Sequence, residues 1–271
     1  MWSKYKDKYR YSLILLRELV RTEFKLRYQG SVLGYLWSLL RPLFLFIILY
    51  VVFVHFLKVG HDVPHWPVAM LLGIVLWNFF AEVTNVGITS IVNRGDVIRK
   101  INFPKYIIVL ASSMSALINL AINLFVIVIF MYIDKVELSW TVLLVPFIIV
   151  ELFIFALGIA FFLSAVYVRL RDINYIWEIL MQGLFYGSIV IYPASMILDK
   201  GKKITELLML NPVAQTIQDV RYVLISHDMP TLLSVSQRPW VATIPVLASI
   251  VIFIFGAWYF RKHSIRFAED V

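Results

Sequence analysis

The sequence contains no cysteine. Disulfides, thiolate catalysis and cysteine-held metals are therefore excluded. Charge is scarce: 15% of the 271 residues are Asp, Glu, Lys or Arg, against about 25% in a soluble domain. No G-x-x-x-x-G-K-[ST] segment occurs. Gly201-Lys202-Lys203 lacks both the upstream glycine and the Ser or Thr, so the chain carries no nucleotide-binding P-loop of its own. A G-x-S-x-G elbow and a His-Glu-x-x-His pair are also missing, and no enzyme active site is visible. His61 and His65 stand four apart in HDVPH. Pro64 and Asp62 favour a turn there, and the ligand set is incomplete, so no bound metal or other cofactor is expected.

Apolar residues are plentiful. The chain is 61% hydrophobic with a mean hydropathy of +0.83, the composition of a polytopic membrane protein. The N-terminal MWSKYKDKYRYS is not expected to be a cleaved signal, because the first apolar run starts late and lacks a small-residue cleavage site. The net charge of +8 sorts by membrane side, so no nucleic-acid partner is expected.

A bilayer crossing needs about 20 apolar residues. Such runs are found at 34–57, 67–88, 106–133, 140–166, 175–197 and 240–260, predicting an all-α integral membrane fold with six spans. With a cytoplasmic N-terminus, the inside holds seventeen Lys and Arg and the outside seven. The positive-inside rule then puts both termini in the cytoplasm of a multi-pass protein of the plasma (inner) membrane. Trp37, Trp66, Trp140, Trp240 and Tyr259 fall near span ends, as interfacial aromatics do. The expected organisation is an N-terminal cytoplasmic segment, 1–33, and a six-span unit, 34–271. That unit includes an outside segment, 198–239, and a cytoplasmic tail, 261–271.

In the first segment, Leu13, Leu16, Val20 and Phe24 form one apolar stripe, while Arg17, Arg21 and Lys25 lie on other faces. This predicts an interfacial helix, either a lipid anchor or a surface contacted by another protein. It runs through Gly30 and Gly34 straight into the first span. The loop at 88–105 mixes Ile91, Val92, Val97, Ile98, Ile101 and Phe103 with Arg94, Asp96, Arg99 and Lys100, predicting a short two-faced docking helix that ends before Pro104. In the outside segment, Asn211 is a good N-cap and Pro212 suits a first helical turn. Val213, Ile217, Val220 and Leu224 continue that helix, and Ile204, Leu207 and Leu208 mark a shorter one before it. The two either dip into the outer leaflet as a gate or rest on its surface.

Glu151 lies mid-span, where an ionised carboxylate is expensive. Asn119 and Asn123, one turn apart in the third span, are the expected partners. The cluster reads as a structural hydrogen-bond site or as a proton relay, so a proton-coupled flippase using Glu151 is an alternative function. Gly183 and Gly187 form a G-x-x-x-G that permits close packing. Phe46, Tyr50 and Phe53 share a face of the first span, and Tyr175, Gln182 and Tyr186 share a face of the fifth. Such faces stack on sugar rings or simply pack.

The run LRYQGSVLGYLWSLLRPLF resembles the start of the first span in permease subunits of type II (ABC-2 class) ABC exporters. That family moves O antigens, capsules, wall rhamnans and teichoic acids. RGDVIRKINFPK, VRLRDINYIWEILMQ and LNPVAQTIQDVRYVL resemble, in the expected order, the loop after the second span, the way into the fifth, and the outside Asn-Pro helix. GHDVPHWPVAMLLGIVLWNFF resembles the rhamnan-type members.

The resemblance implies a homodimer served by two separate ATPase subunits that bind ATP and Mg, and a glycan carried on a polyprenyl diphosphate. It implies that the first helix and the 89–104 loop, through Arg17, Arg21, Arg94, Asp96, Arg99 and Lys100, receive the ATPase motion. The first and fifth spans, with their aromatic faces, would line the glycan path. The outside helices, with Asn211, Pro212 and Arg221, would form its outer gate. Charge and location further place Arg27 and Arg41 either beside the lipid-diphosphate entrance or on phospholipid headgroups.

Overall fold

The computed structural model describes residues 2–27, 30–101 and 103–270, with side chains from residue 11 onward except those of 24, 26, 27, 35, 268 and 270. Among the described residues the chain is helical, with no strand. Helix α1 (Trp2–Arg27) leads through a bend to α2 (Trp37–Leu49), which continues as a wider π turn to Phe56. Gly30 and Gly34 supply that bend with φ of 80° and 50°, a region side-chain-bearing residues rarely adopt. Then come α3 (Trp66–Ser90), the six-residue α4 (Gly95–Lys100), α5 (Tyr106–Ile133) and α6 (Val145–Tyr167). They are followed by α7 (Ile173–Gly187), α8 (Ala194–Leu198), α9 (Lys202–Met209), α10 (Pro212–Leu224), α11 (Leu232–Ser236), α12 (Pro239–His263) and α13 (Phe267–Asp270).

Among the described residues, five helical stretches are long and apolar enough to cross a membrane: Trp37–Phe56, Trp66–Ser90, Tyr106–Ile133, Trp140–Tyr167 and Pro239–His263. These match five of the six expected spans. The sixth expected span, 175–197, is not one continuous helix. Its helix α7 has 15 residues, about 22 Å at 1.5 Å per residue, and a hydrocarbon core is about 30 Å thick. The chain leaves the helix at Ser188 and turns through Ile189, whose φ is +54°. Pro193 then opens α8.

The freed backbone of this break is clasped by α10. Arg221 is fully buried. Its guanidinium donates to the carbonyls of Ile189 at 2.9 Å and Val190 at 2.5 Å, and to Ala69 of α3 at 2.9 Å. It also lies 5.0 Å from the ring of Trp66. The amide of Asn211 donates to the Ser188 hydroxyl at 2.9 Å. Burial pulls the Arg221 pKa down to about 9, which leaves the group cationic at neutral pH. Gly73 makes room for it: a Cβ there would stand 2.5 Å from Arg221 Nη2.

The outside helices therefore differ from the amphipathic pair expected. Asn211 does cap α10, accepting from the Val213 amide at 3.1 Å. Yet α10 is buried almost all round, from Pro212 to Gln218 without interruption, and it packs on α6 and α3. The shorter α9 keeps an open side, with Ile204 and Leu207 exposed.

Helix α3 is the centre, buried at every residue from Val68 to Trp77. It packs on α5 and α6, and α12 closes on α6. The close approach of helices lies here and not at Gly183 and Gly187, which face space empty of this chain's atoms. A Cβ on Gly256 would overlap the Gly158 carbonyl oxygen, and one on Gly158 would stand 2.5 Å from Phe253 Cα. No membrane pattern marks this pair, because its two glycines sit on different helices.

At the end of the bundle holding α1, an ion pair joins Arg94 to Glu23. Lys105 Nζ donates to the Ser264 carbonyl at 2.6 Å, and Phe267 is buried against Phe260, with ring centres 5.3 Å apart. So α1, the α4 loop and the tail lie at one end of the bundle. At the other end His65 Nδ1 lies 2.8 Å from Asp134 Oδ2, joining α3 to the turn after α5. The α1 stripe is rotated from expectation. Leu19 is buried and Leu15, Leu16 and Val20 pack beside it, while Leu13 is exposed; the Phe24 side chain lies outside the described residues.

Four outcomes follow for protein purified in detergent and unfolded thermally. Gly256→Val destabilises it by about 3 kcal/mol or more, since both partners at the overlap are backbone. Gly183→Ala is neutral, or stabilising by up to about 1 kcal/mol from helix propensity. Arg221→Met, which leaves three buried carbonyls without their donor, costs about 3 kcal/mol or more. Arg221→Lys loses less, because an ammonium keeps the charge but lacks the planar fork.

Candidate functional site

Three groups of side chains could serve a transport function. The first is the charged platform at the α1 end. Arg17, Arg21 and Lys25 are exposed along α1. In the next loop, Asp96, Arg99 and Lys100 are exposed on α4, with Arg99 Nη2 3.2 Å from Asp96 Oδ1. Arg94 is half-buried and spent on Glu23. The expected coupling residues thus lie on two elements, α1 and the α4 loop, and the Arg94–Glu23 pair ties these together. Glu23 was not anticipated, since nothing in a lone acidic residue on a basic helix announces a partner in another loop.

The second group is aromatic. Tyr175, Gln182 and Tyr186 are exposed on α7, together with Ile176, Ile179 and Leu180. Among the described residues this face is left largely uncovered. On α2, Tyr50 is exposed and Phe53 partly covered, but Phe46 is buried. Its ring centre lies 6.2 Å from that of Phe130 in an edge-on contact. Phe46 is thus a packing residue between α2 and α5 and does not face the open side. Helix α2 packs mainly on α3 and α5, and α7 on α3 and α6, so the two aromatic faces do not form one wall within a single chain.

The third group is polar and intramembrane, and it differs from the cluster expected. Asn119 and Asn123 are one turn apart, but their partner is not Glu151. Asn119 Nδ2 donates to Glu82 Oε1 at 2.9 Å. Asn123 Nδ2 donates to the carbonyls of Ser38, at 3.2 Å, and of Asn119, at 2.8 Å. These residues help to line a cavity of about 620 Å³ between α2, α3 and α5, which Arg41 also lines. Arg27, the other expected cation, has a side chain outside the described residues.

Glu151 belongs to a separate site. On α10, Gln215 donates from Nε2 to Asp219 Oδ2, and the same side chain interacts with Glu151 on α6. Glu151 Oε1 is buried with no hydrogen-bond partner from the protein. Burial pushes the Asp219 carboxyl up to about 6, with the Gln215 hydrogen bond pulling it back. Sequence spacing could not pair Glu151 with α10, because the two segments meet only once the α7 break lets α10 into the bundle.

The raised Asp219 pKa means that the folded state holds its proton more tightly than the unfolded chain. Its contribution therefore favours folding below about pH 4 and is lost as pH rises through about 6, a difference of at most about 3 kcal/mol. Asp219→Asn is expected to raise the unfolding temperature at pH 7.5 and to flatten its pH dependence between 4 and 7.

Residues 14–225 match the family described as ABC-2 type transporter. Curated relatives include the O-antigen export system permease protein RfbA of Myxococcus xanthus, 26% identical over 257 residues, which are 95% of this chain and 95% of the relative. The protein of the same name from Klebsiella pneumoniae is 26% identical over 268 residues, 98% of this chain and 97% of the relative. With five apolar helices of spanning length and a family match that runs from α1 through the end of α10, the chain belongs to the ABC-2 type transporter family of membrane proteins.

Proposed function

We propose that this chain is the transmembrane subunit of an ATP-driven exporter. It moves a polysaccharide or teichoic acid, linked to a polyprenyl diphosphate, across the plasma membrane. The observation that carries the reading is the near full-length similarity to two O-antigen export permeases. The geometry is compatible with it. Helix α7 presents an aromatic and apolar face that its own chain leaves uncovered. A second copy of the chain would close that face into a path. Arg17, Arg21, Asp96, Arg99 and Lys100 are exposed, and the Arg94–Glu23 pair ties their two elements together, which suits a surface that takes up force. Two partner ATPase subunits, holding ATP and Mg²⁺, would dock there on the cytoplasmic side, where the positive-inside count puts both termini.

The test is co-expression with a candidate ABC-type ATPase subunit, in a strain lacking both chains. Export of the glycan should require both chains and ATP. Arg17→Glu with Arg21→Glu should reduce ATPase co-purification and export at least tenfold, with thermal stability unchanged. Full export by this chain without ATP would overturn the reading. Glu151→Gln separates it from the proton-coupled alternative: ATP-dependent export is expected to stay within about twofold, and its abolition would favour the relay.

A further inference from the structure

Residues 261–271, RKHSIRFAEDV, carry five formal charges, the composition of a segment that water can hold without help. One residue is nonetheless taken inside. Phe267 is 1% exposed, while Ile265, two residues earlier, is 80% exposed. Hydrophobicity alone does not choose between these two side chains, so the choice is set by what Phe267 meets. Its ring stands edge-on to that of Phe260, with centres 5.3 Å apart, and it joins the same apolar core as Ile98 of α4. Lys105, just before α5, fixes the turn that leads there. Its Nζ donates to the Ser264 carbonyl at 2.6 Å and lies 6.0 Å from the centre of the Phe267 ring. Helix α13 then packs on α4.

Helix α4 needs such support. Six residues are too few for a helix to hold its shape alone, so its neighbours set its position. One neighbour is α1, through the Arg94–Glu23 pair, which water partly reaches and which is weak for that reason. Another is the tail, whose buried ring resists displacement more strongly than an ion pair that water can replace. The tail contact also continues beyond Phe267. Phe260 is 3% exposed, and its ring centre lies 5.2 Å from that of Phe161 on α6. A row of three rings, Phe267, Phe260 and Phe161, thus runs from beside α4 through α12 into α6. Those are the two helices whose backbones touch at Gly158 and Gly256. Asp96, Arg99 and Lys100 meanwhile stay exposed on α4.

We infer that the tail is a positioning element for α4, and that Phe267 is the positioning residue through which a displacement of α4 reaches α12 and α6. The inference rests on the reading of the α4 loop as an ATPase contact, and it adds the route by which that contact moves the bundle. Phe267 acts through α4, since a side chain 1% exposed has no surface of its own to offer a partner.

The experiment has two arms. In the first, the full chain in detergent is followed by hydrogen–deuterium exchange. Phe267→Ala should raise exchange of the α4 amides about tenfold or more, and Ile265→Ala, at the exposed neighbour, should leave it unchanged. Phe267→Leu, which refills most of the space, should restore most of the protection. In the second arm the chain is co-expressed with a candidate ABC-type ATPase subunit. Phe267→Ala should lower export per ATP hydrolysed about fivefold or more, with ATPase co-purification kept within about twofold. A merely structural role would lower the yield of complex and leave that ratio alone. If Phe267→Ala does not fold, Lys105→Met, which removes the donor to Ser264, is read in both arms, with smaller changes in the same directions. Unchanged α4 exchange overturns the inference, and so does an unchanged export ratio in an active complex. Loss of ATPase co-purification overturns it too, since Phe267 would then serve the contact itself. A wild-type chain without ATP-dependent export overturns the transport reading instead, and the exchange arm alone then decides whether the tail holds α4.

Discussion

The structure depends on one buried guanidinium. A helix that stops inside a membrane protein exposes carbonyls where no water can satisfy them. Helix α7 stops in this way, and Arg221 answers by donating to Ile189 and Val190 while reaching Ala69 on α3. Arginine suits the task because its donors are fixed in a plane and its charge survives burial. The consequences propagate outward. The helix that carries Arg221 must enter the bundle, so α10 is buried almost all round, where an amphipathic helix dipping into the outer leaflet or resting on it was expected. Residue 73 must lack a Cβ, and Trp66 must lie against the guanidinium. Ile189, a β-branched residue at positive φ, is an expensive backbone state that persists because this clasp over-determines it. The start of α3, the end of α7 and all of α10 are thereby one mechanical unit.

At the opposite end the polar ties are lighter, and they lie beside the apolar packing of Leu15, Leu16, Leu19 and Val20. One ion pair, Arg94 to Glu23, ties α1 to the α4 loop, and one hydrogen bond, Lys105 to Ser264, ties the tail to the start of α5. These contacts sit where water competes, so each contributes far less than the buried clasp. The molecule thus has a stiff end and a softer end. The two are linked by α6 and α12, whose backbones touch at Gly158 and Gly256. A partner acting on the soft end meets a surface that can shift before the clasp yields.

This asymmetry explains which parts were legible in the sequence. Hydropathy reports transfer into lipid, so the five continuous spans and the charge asymmetry could be read directly. Asn211-Pro212 was legible because a cap is a local hydrogen bond between residues two apart. The α7 break was not, because Ile189, Val190 and Ile191 are as apolar as the span they interrupt, and the reason for the break sits on another helix. Glu151 and the pair Asn119 and Asn123 were rightly singled out as polar residues needing partners. Their true partners, Gln215 with Asp219 and Glu82, are set by tertiary packing, about which spacing along one helix says nothing. G-x-x-x-G on α7 drew attention because a motif is visible within one segment, while the glycine contact that matters is made by single residues on two helices.

The five spans are unequally held. In the most apolar window of α3, 78% of residues are buried, against 11% in that of α2. Lipid tails are as apolar as leucine, so inside a bilayer exposed apolar surface gives α2 no drive toward the bundle. What retains it is a few packed side chains, such as Phe46 on Phe130, and the Asn123 bond to the Ser38 carbonyl. The least retained span is also the one joined to α1 through the Gly30–Gly34 bend, and it stands over the polar cavity. A displacement of α1 would therefore meet, in α2, the span with the smallest buried share.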